Sequence, residues 1–164
     1  EKIRNLIKQN GKKVFLNTQI NSFNRGYHTV FKYKKINTLV INENELRYEL
    51  RDKHTEISKL AKVLSKKISV KNIVVTRGIY GSVLINTKNN LVISCPAFYQ
   101  NNIDTVGAGD TFFGICSLAM GSKVESKISM FLGAISAGFA VEQIGNKFYY
   151  NFQNLKKHLT HIFK

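Results

Sequence analysis

Asp104-Thr105-Val106-Gly107-Ala108-Gly109-Asp110, running on into Thr111-Phe112-Phe113-Gly114, is the stretch on which the reading of this chain turns. Small residues at 107 to 109 let backbone N–H groups close around an oxyanion or a phosphate. A helix expected from about 109 to 120 adds the partial positive charge of its N-terminus at the same place. Asp110 then stands where an incoming hydroxyl would need a base, an arrangement that suits phosphoryl transfer. The same residues would also serve a tight strand-to-helix connection, with glycines for close packing and Asp110 as an acid favoured at a helix start.

The chain of 164 residues is long enough for one domain with a real core, and its 43% hydrophobic and 11% aromatic content is globular. No apolar run approaches the length of a membrane span, so membrane insertion is not expected. The charged start, Glu1-Lys2-Ile3-Arg4, has no apolar stretch followed by a cleavage site. Cys95 and Cys116 show no C-x-x-C spacing, which argues against a disulfide framework or a zinc site and sets a reducing cytoplasm as the expectation. Net charge is +15, which favours anionic ligands. The lysines are scattered as pairs such as Lys12-Lys13 and Lys66-Lys67, without an arginine-rich tract or a nucleic-acid module, and this argues against nucleic acid as the partner.

Periodicity predicts a short helix at 1–9, strands at 13–17 and 37–41, and a helical stretch over 43–67. Residues 72–76 are rich in Val and Ile and free of charge, the pattern of a buried parallel strand at the centre of a sheet. The turn Arg77-Gly78-Ile79-Tyr80-Gly81 separates it from Ser82-Val83-Leu84-Ile85, and Asn89-Asn90 turns into Leu91–Cys95. These two read as antiparallel edge strands closed by Pro96, with a loop over 97–103. Residues 124–142, small and apolar on nearly every face, predict a helix packed closely on the sheet. Residues 152–163 predict a basic surface helix. His28, His54, His158 and His161 are isolated from any nucleophile and read as solvated, and Asn24–His28 reads as a polar turn in preference to a phosphate-approaching loop.

DTVGAGDTFFG at 104–114 resembles the C-terminal signature of the ribokinase-like (PfkB) carbohydrate kinases. VVTRGIYGSVLI at 74–85 is similar to that family's nucleotide-contacting strand–turn–strand, and Asn42-Glu43-Asn44-Glu45 fits its N-x-x-E element. More narrowly, 17–47 and 131–146 look like sugar-kinase modules fused to cytidylyltransferase-like domains. The resemblance implies a ribokinase-like three-layer α/β/α fold, with a mostly parallel central sheet and an antiparallel edge hairpin. Residues 1–164 would then form a single α/β domain, the C-terminal nucleotide-binding and catalytic half. The sugar-binding half and its lid would lie outside it, leaving the fragment inactive alone.

The roles the resemblance implies are specific. Asp110 would be the base, with Gly107, Ala108 and Gly109 donating N–H groups to the transferred group. Thr76, Arg77, Gly78 and Gly81 would contact the nucleotide, although an ordinary glycine turn would look the same. Asn42 and Glu45 would organise magnesium and phosphate through water; they also fit a relative of a capping box, and both readings can hold at once. Many members carry a monovalent-cation site, which would fall here on Asp104, Val106, Ala140, Gln143 and Gly145, with potassium as the ion. Ala134 stands where relatives often have an asparagine near the base, a departure that puts ATP selectivity in question. The partners implied are ATP, a sugar or sugar phosphate, the rest of the polypeptide, and in some members a second copy. The alternative reading is a nucleotide-binding regulatory or scaffold module that keeps the anion site without turnover.

Overall fold

Three parallel strands and an antiparallel hairpin share one sheet in the computed structural model, which describes residues 13–19, 27–98, 106–141 and 151–162. The strands are β1 (Phe15–Asn17), β2 (Ile36–Asn42), β3 (Val70–Thr76), β4 (Ser82–Asn86) and β5 (Val92–Cys95), and they lie side by side in chain order. β1, β2 and β3 run parallel, while β4 pairs antiparallel with β3 and β5 with β4. The expected α/β architecture, with its charge-free run in the middle and its hairpin at the edge, is what is observed. The helix expected at 1–9 lies outside the described residues.

The connection from β2 to β3 holds two helices, α1 (Glu43–Leu50) and α2 (Ile57–Ile68), as a parallel crossover requires. A single helical stretch over 43–67 is therefore corrected to two. Arg51 leaves the helix in the left-handed region at φ 54°, Asp52 N–H donates back to the Arg47 carbonyl at 3.0 Å, and the Asp52 carboxylate accepts from the His54 and Thr55 amides. Glu56 then caps α2 by accepting from the Ser58 and Lys59 amides. The missed signal is the apolar-free run Arg51–Glu56.

Leu46 of α1 and Leu60, Ala61, Leu64 and Ile68 of α2 bury against Leu39, Ile41, Ile73, Val75 and Ile85, all from one face of the sheet. Each buried Leu, Ile or Val side chain among these contributes about 1.5–3 kcal/mol. Val40, Val74 and Leu84, which point to the other face, are buried too. That is why these strands read as continuous apolar runs rather than alternating ones.

The chain divides into two compact units, 1–96 and 97–164. The second contains α3 (Ala108–Gly121), α4 (Ser126–Val141) and α5 (Phe152–Ile162). The small residues of α4, expected to lie against the sheet, permit close approach to α3: a Cβ on Gly133 would stand 3.0 Å from the Cys116 Cβ and 3.1 Å from the Phe112 carbonyl oxygen. Phe131 of α4 packs edge-to-face on Phe98, with centroids 5.2 Å apart. Among the described residues no helix is long and apolar enough to cross a membrane.

Candidate functional site

In the first unit the candidate residues gather at the carboxyl ends of β2 and β3, where parallel strands in open α/β sheets present their ligands. The register pairs Asn42 with Thr76, so the N-x-x-E element and the T-R-G-I-Y-G turn begin side by side. Asn42 is the N-cap of α1: its Oδ1 accepts from the Asn44 amide at 2.9 Å, and Glu45 Oε2 accepts from the Asn42 amide at 3.0 Å. The capping box is thus real. It also orients the half-buried Glu45 carboxylate at a strand end.

Arg77 follows β3 directly, and its Nε donates to Glu43 Oε2 at 2.9 Å. Its guanidinium carbon lies 5.7 Å from the centroid of the Tyr80 ring. Glu43 also accepts from Arg47 through Nε at 3.0 Å and Nη2 at 2.8 Å. The Arg77 hydrogen bond holds the Glu43 carboxyl below its ordinary value near 4.5, against the opposing effect of partial burial and with further help from Arg47. Sequence reasoning met Glu43 only as a neighbour competing with Glu45 and gave Tyr80 no role of its own. The Glu43–Arg47 spacing of i, i+4 was a visible signal. The Glu43–Arg77 pair was not, because it depends on strand register.

The turn after Arg77 closes tightly. Its amide donates to the Gly81 carbonyl at 2.8 Å, and Gly78 and Gly81 have φ of +54° and +77°. A Cβ on Gly81 would lie 2.1 Å from the Cys95 carbonyl oxygen, so only glycine lets the hairpin pass. At Gly78 a Cβ would meet nothing within 4 Å. Ile79 and Tyr80 are 62% and 72% exposed, which makes this turn a projecting apolar tip beside a cation.

The second unit holds the glycine motif. Gly107, at φ 84°, is the N-cap of α3, and among the described residues no side chain caps the helix there. Its carbonyl accepts from the Thr111 amide at 2.9 Å and from Thr111 Oγ1 at 3.0 Å, which fixes the first turn. Ala108, Gly109 and Asp110 occupy that turn, whose amides point away from the helix body. Gly109 and Asp110 are exposed, and a Cβ on Gly109 would meet nothing within 4 Å. Asp110 therefore stands in solvent at the positive end of a helix of 14 residues.

Of the proposed cation ligands, Val106 precedes this turn and is exposed, and Ala140 is buried near the end of α4. Asp104, Gln143 and Gly145 lie outside the described residues, as do Asn24, Arg25 and Gly26. Ala134 is buried in α4. His28 and His54 are exposed, in accord with the solvated reading. Among the described residues no three His, Cys, Asp or Glu side chains cluster to hold a metal.

A family model described as pfkB family carbohydrate kinase matches residues 1–149. Among solved structures, the ribokinase from Thermotoga maritima is similar with a TM-score of 0.78 at 21% identity, over 96% of this chain and 52% of that one. Phosphofructokinase-2 from Escherichia coli in complex with potassium gives 0.77 at 16% identity, over 99% and 52%. The Arabidopsis thaliana ribokinase complexed with ribose and ATP gives 0.75 at 22% identity, over 96% and 50%. The chain thus spans about half the length of these structures. Among curated proteins none matches significantly.

Proposed function

The chain belongs to the pfkB family of carbohydrate kinases, and from that premise we propose that it supplies the nucleotide-binding and catalytic part of an enzyme transferring the γ-phosphoryl group of ATP to a hydroxyl of a sugar or sugar phosphate. The observation that carries the reading is the start of α3: an exposed carboxylate, Asp110, in a helical turn capped by Gly107, with no side-chain cap among the described residues. Phosphoryl transfer asks little covalent chemistry of a protein and much positioning and charge stabilisation. Asp110 would accept the proton of the attacking hydroxyl, while the amides of Gly107, Ala108 and Gly109 would hold the oxygens of the group in flight.

Thr76 and Arg77, with the backbone freed by Gly78 and Gly81, would meet the nucleotide at the end of β3. Magnesium, when bound, neutralises charge on the nucleotide phosphates. A hard cation that keeps much of its hydration shell suits a carboxylate reached through water, such as Glu45 with Asn42 beside it. Val106 and Ala140, with Asp104, Gln143 and Gly145, would hold a potassium ion. The sugar-binding half and lid belong elsewhere in the polypeptide, as does a cytidylyltransferase-like domain on the likeness of 17–47 and 131–146. The protein would work in the cytoplasm, where its two buried cysteines stay reduced.

The test is a screen of sugars and sugar phosphates against the full-length protein with ATP and magnesium. Acceptor-dependent ADP release is expected for a narrow set of these. ATP binding with no release for any acceptor would support the regulatory module in its place.

A further inference from the structure

The capping box needs Asn42 and Glu45 but makes no use of Glu43, and yet Glu43 sits between two arginines. Arg47 is itself anchored, since its Nη1 donates to the Thr55 carbonyl at 2.9 Å. A continuous set of bonds therefore runs from the α1–α2 turn through Arg47 and Glu43 to Arg77, which lies against the exposed ring of Tyr80. Arg77 commits its Nε edge to Glu43, and among the described residues its two Nη groups carry no hydrogen bond. The side chain is 33% exposed, so those groups are within reach of a ligand. Two guanidiniums against one carboxylate leave the trio with one positive charge.

A guanidinium held by one edge and one face presents its remaining N–H groups as a fixed fork, the geometry that matches a phosphoryl group. A free arginine would instead lose several rotamers on binding. We propose that Glu43 is a positioning residue, which holds Arg77 against Tyr80 so that its Nη groups engage a phosphoryl oxygen of the bound nucleotide. This rests on the reading above that the T-R-G-I-Y-G turn contacts ATP. Glu43 acts entirely through Arg77, so its effect exists only while Arg77 is present.

The experiment is a double-mutant cycle on the full-length protein with Glu43→Gln, Arg77→Ala and the pair, reading KM and kcat for ATP with magnesium. Glu43→Gln is expected to raise the KM for ATP about three- to ten-fold, the scale of releasing one long ordered side chain, with kcat changing far less. Arg77→Ala is expected to raise KM at least as much, and adding Glu43→Gln to it should raise KM no further. Additive effects, or an unchanged KM in Glu43→Gln, would overturn the role of Glu43. If Glu43→Gln fails to fold, Arg77→Lys carries the test, because it keeps the charge and loses the fork; an unaltered KM there overturns the proposal. Failure of the unsubstituted protein to bind ATP would overturn the kinase reading itself, an outcome separate from additivity in a protein that binds.

Discussion

Two regions of this molecule carry its candidate chemistry, and they are built in opposite ways. At the ends of β2 and β3, Asn42, Glu43, Glu45 and Arg77 are each bonded to a neighbour, and Gly81 is hemmed in by Cys95 and Pro96. At the start of α3, among the described residues, Gly107 caps the helix without a side-chain partner and Gly109 and Asp110 are exposed. The first region is at once framework and candidate binding surface. Among the described residues the second has its groups held by the helix behind them, with no side chain bonded to the amides of its first turn. Substitutions should therefore separate stability from function at α3 and entangle them at the strand ends.

The largest effect expected is at Asp110. Asp110→Asn should lower turnover of the full-length protein about 10²–10⁴-fold, while urea unfolding shifts by no more than about 0.5 kcal/mol. A loss of stability in step with activity would erase the contrast between the regions. Next comes Gly81→Ala, expected to destabilise by about 3 kcal/mol through overpacking on Cys95 and a positive φ. Gly78→Ala, with the same sign of φ and open space, should cost only about 1–2 kcal/mol in the same unfolding series. Equal costs at the two glycines would mean that the hairpin yields where its packing says it cannot.

Smaller again is the cap. Asn42→Ala should remove about 1 kcal/mol, seen as a lowered denaturation midpoint with an unchanged slope. The smallest effect is electrostatic. Glu43 is held below its ordinary value near 4.5 in the folded chain, so its contribution is present above that pH and is lost as pH falls through the lowered folded value. The gap in melting temperature between the parent and Glu43→Gln should accordingly close on acidification below about pH 4.5. A gap that persists into acid would assign the stabilisation to packing rather than to the ion pairs. Asp52 and Glu56, also lowered by hydrogen bonds within their turns, act on both proteins alike and cancel in the comparison.

The legible part of the fold was the part set by short-range pattern. The charge-free run 72–76 reads as a buried strand because both its faces are covered, and its place at the middle of the sheet follows. Gly107 to Asp110 could be placed at a helix start from glycine and carboxylate preferences alone. The break between α1 and α2 was harder, because Arg51 takes a left-handed conformation that its side chain does not advertise. The capping box at Asn42 was visible as one of two readings, and the geometry shows it formed, with Glu45 accepting from the Asn42 amide.

Local chemistry, then, was determined by the sequence itself: periodicity, caps and glycine turns act over about four residues, a distance within which neighbours in the chain are neighbours in space. The tertiary structure alone decided which side chains answer one another across it. Glu43 and Arg77 stand 34 residues apart, and they meet because hydrogen bonding sets Asn42 opposite Thr76; a slip of one residue would turn the partners to opposite faces. The same holds for Gly81, where the Cys95 carbonyl of an adjoining strand adds to the demand already made by its own positive φ.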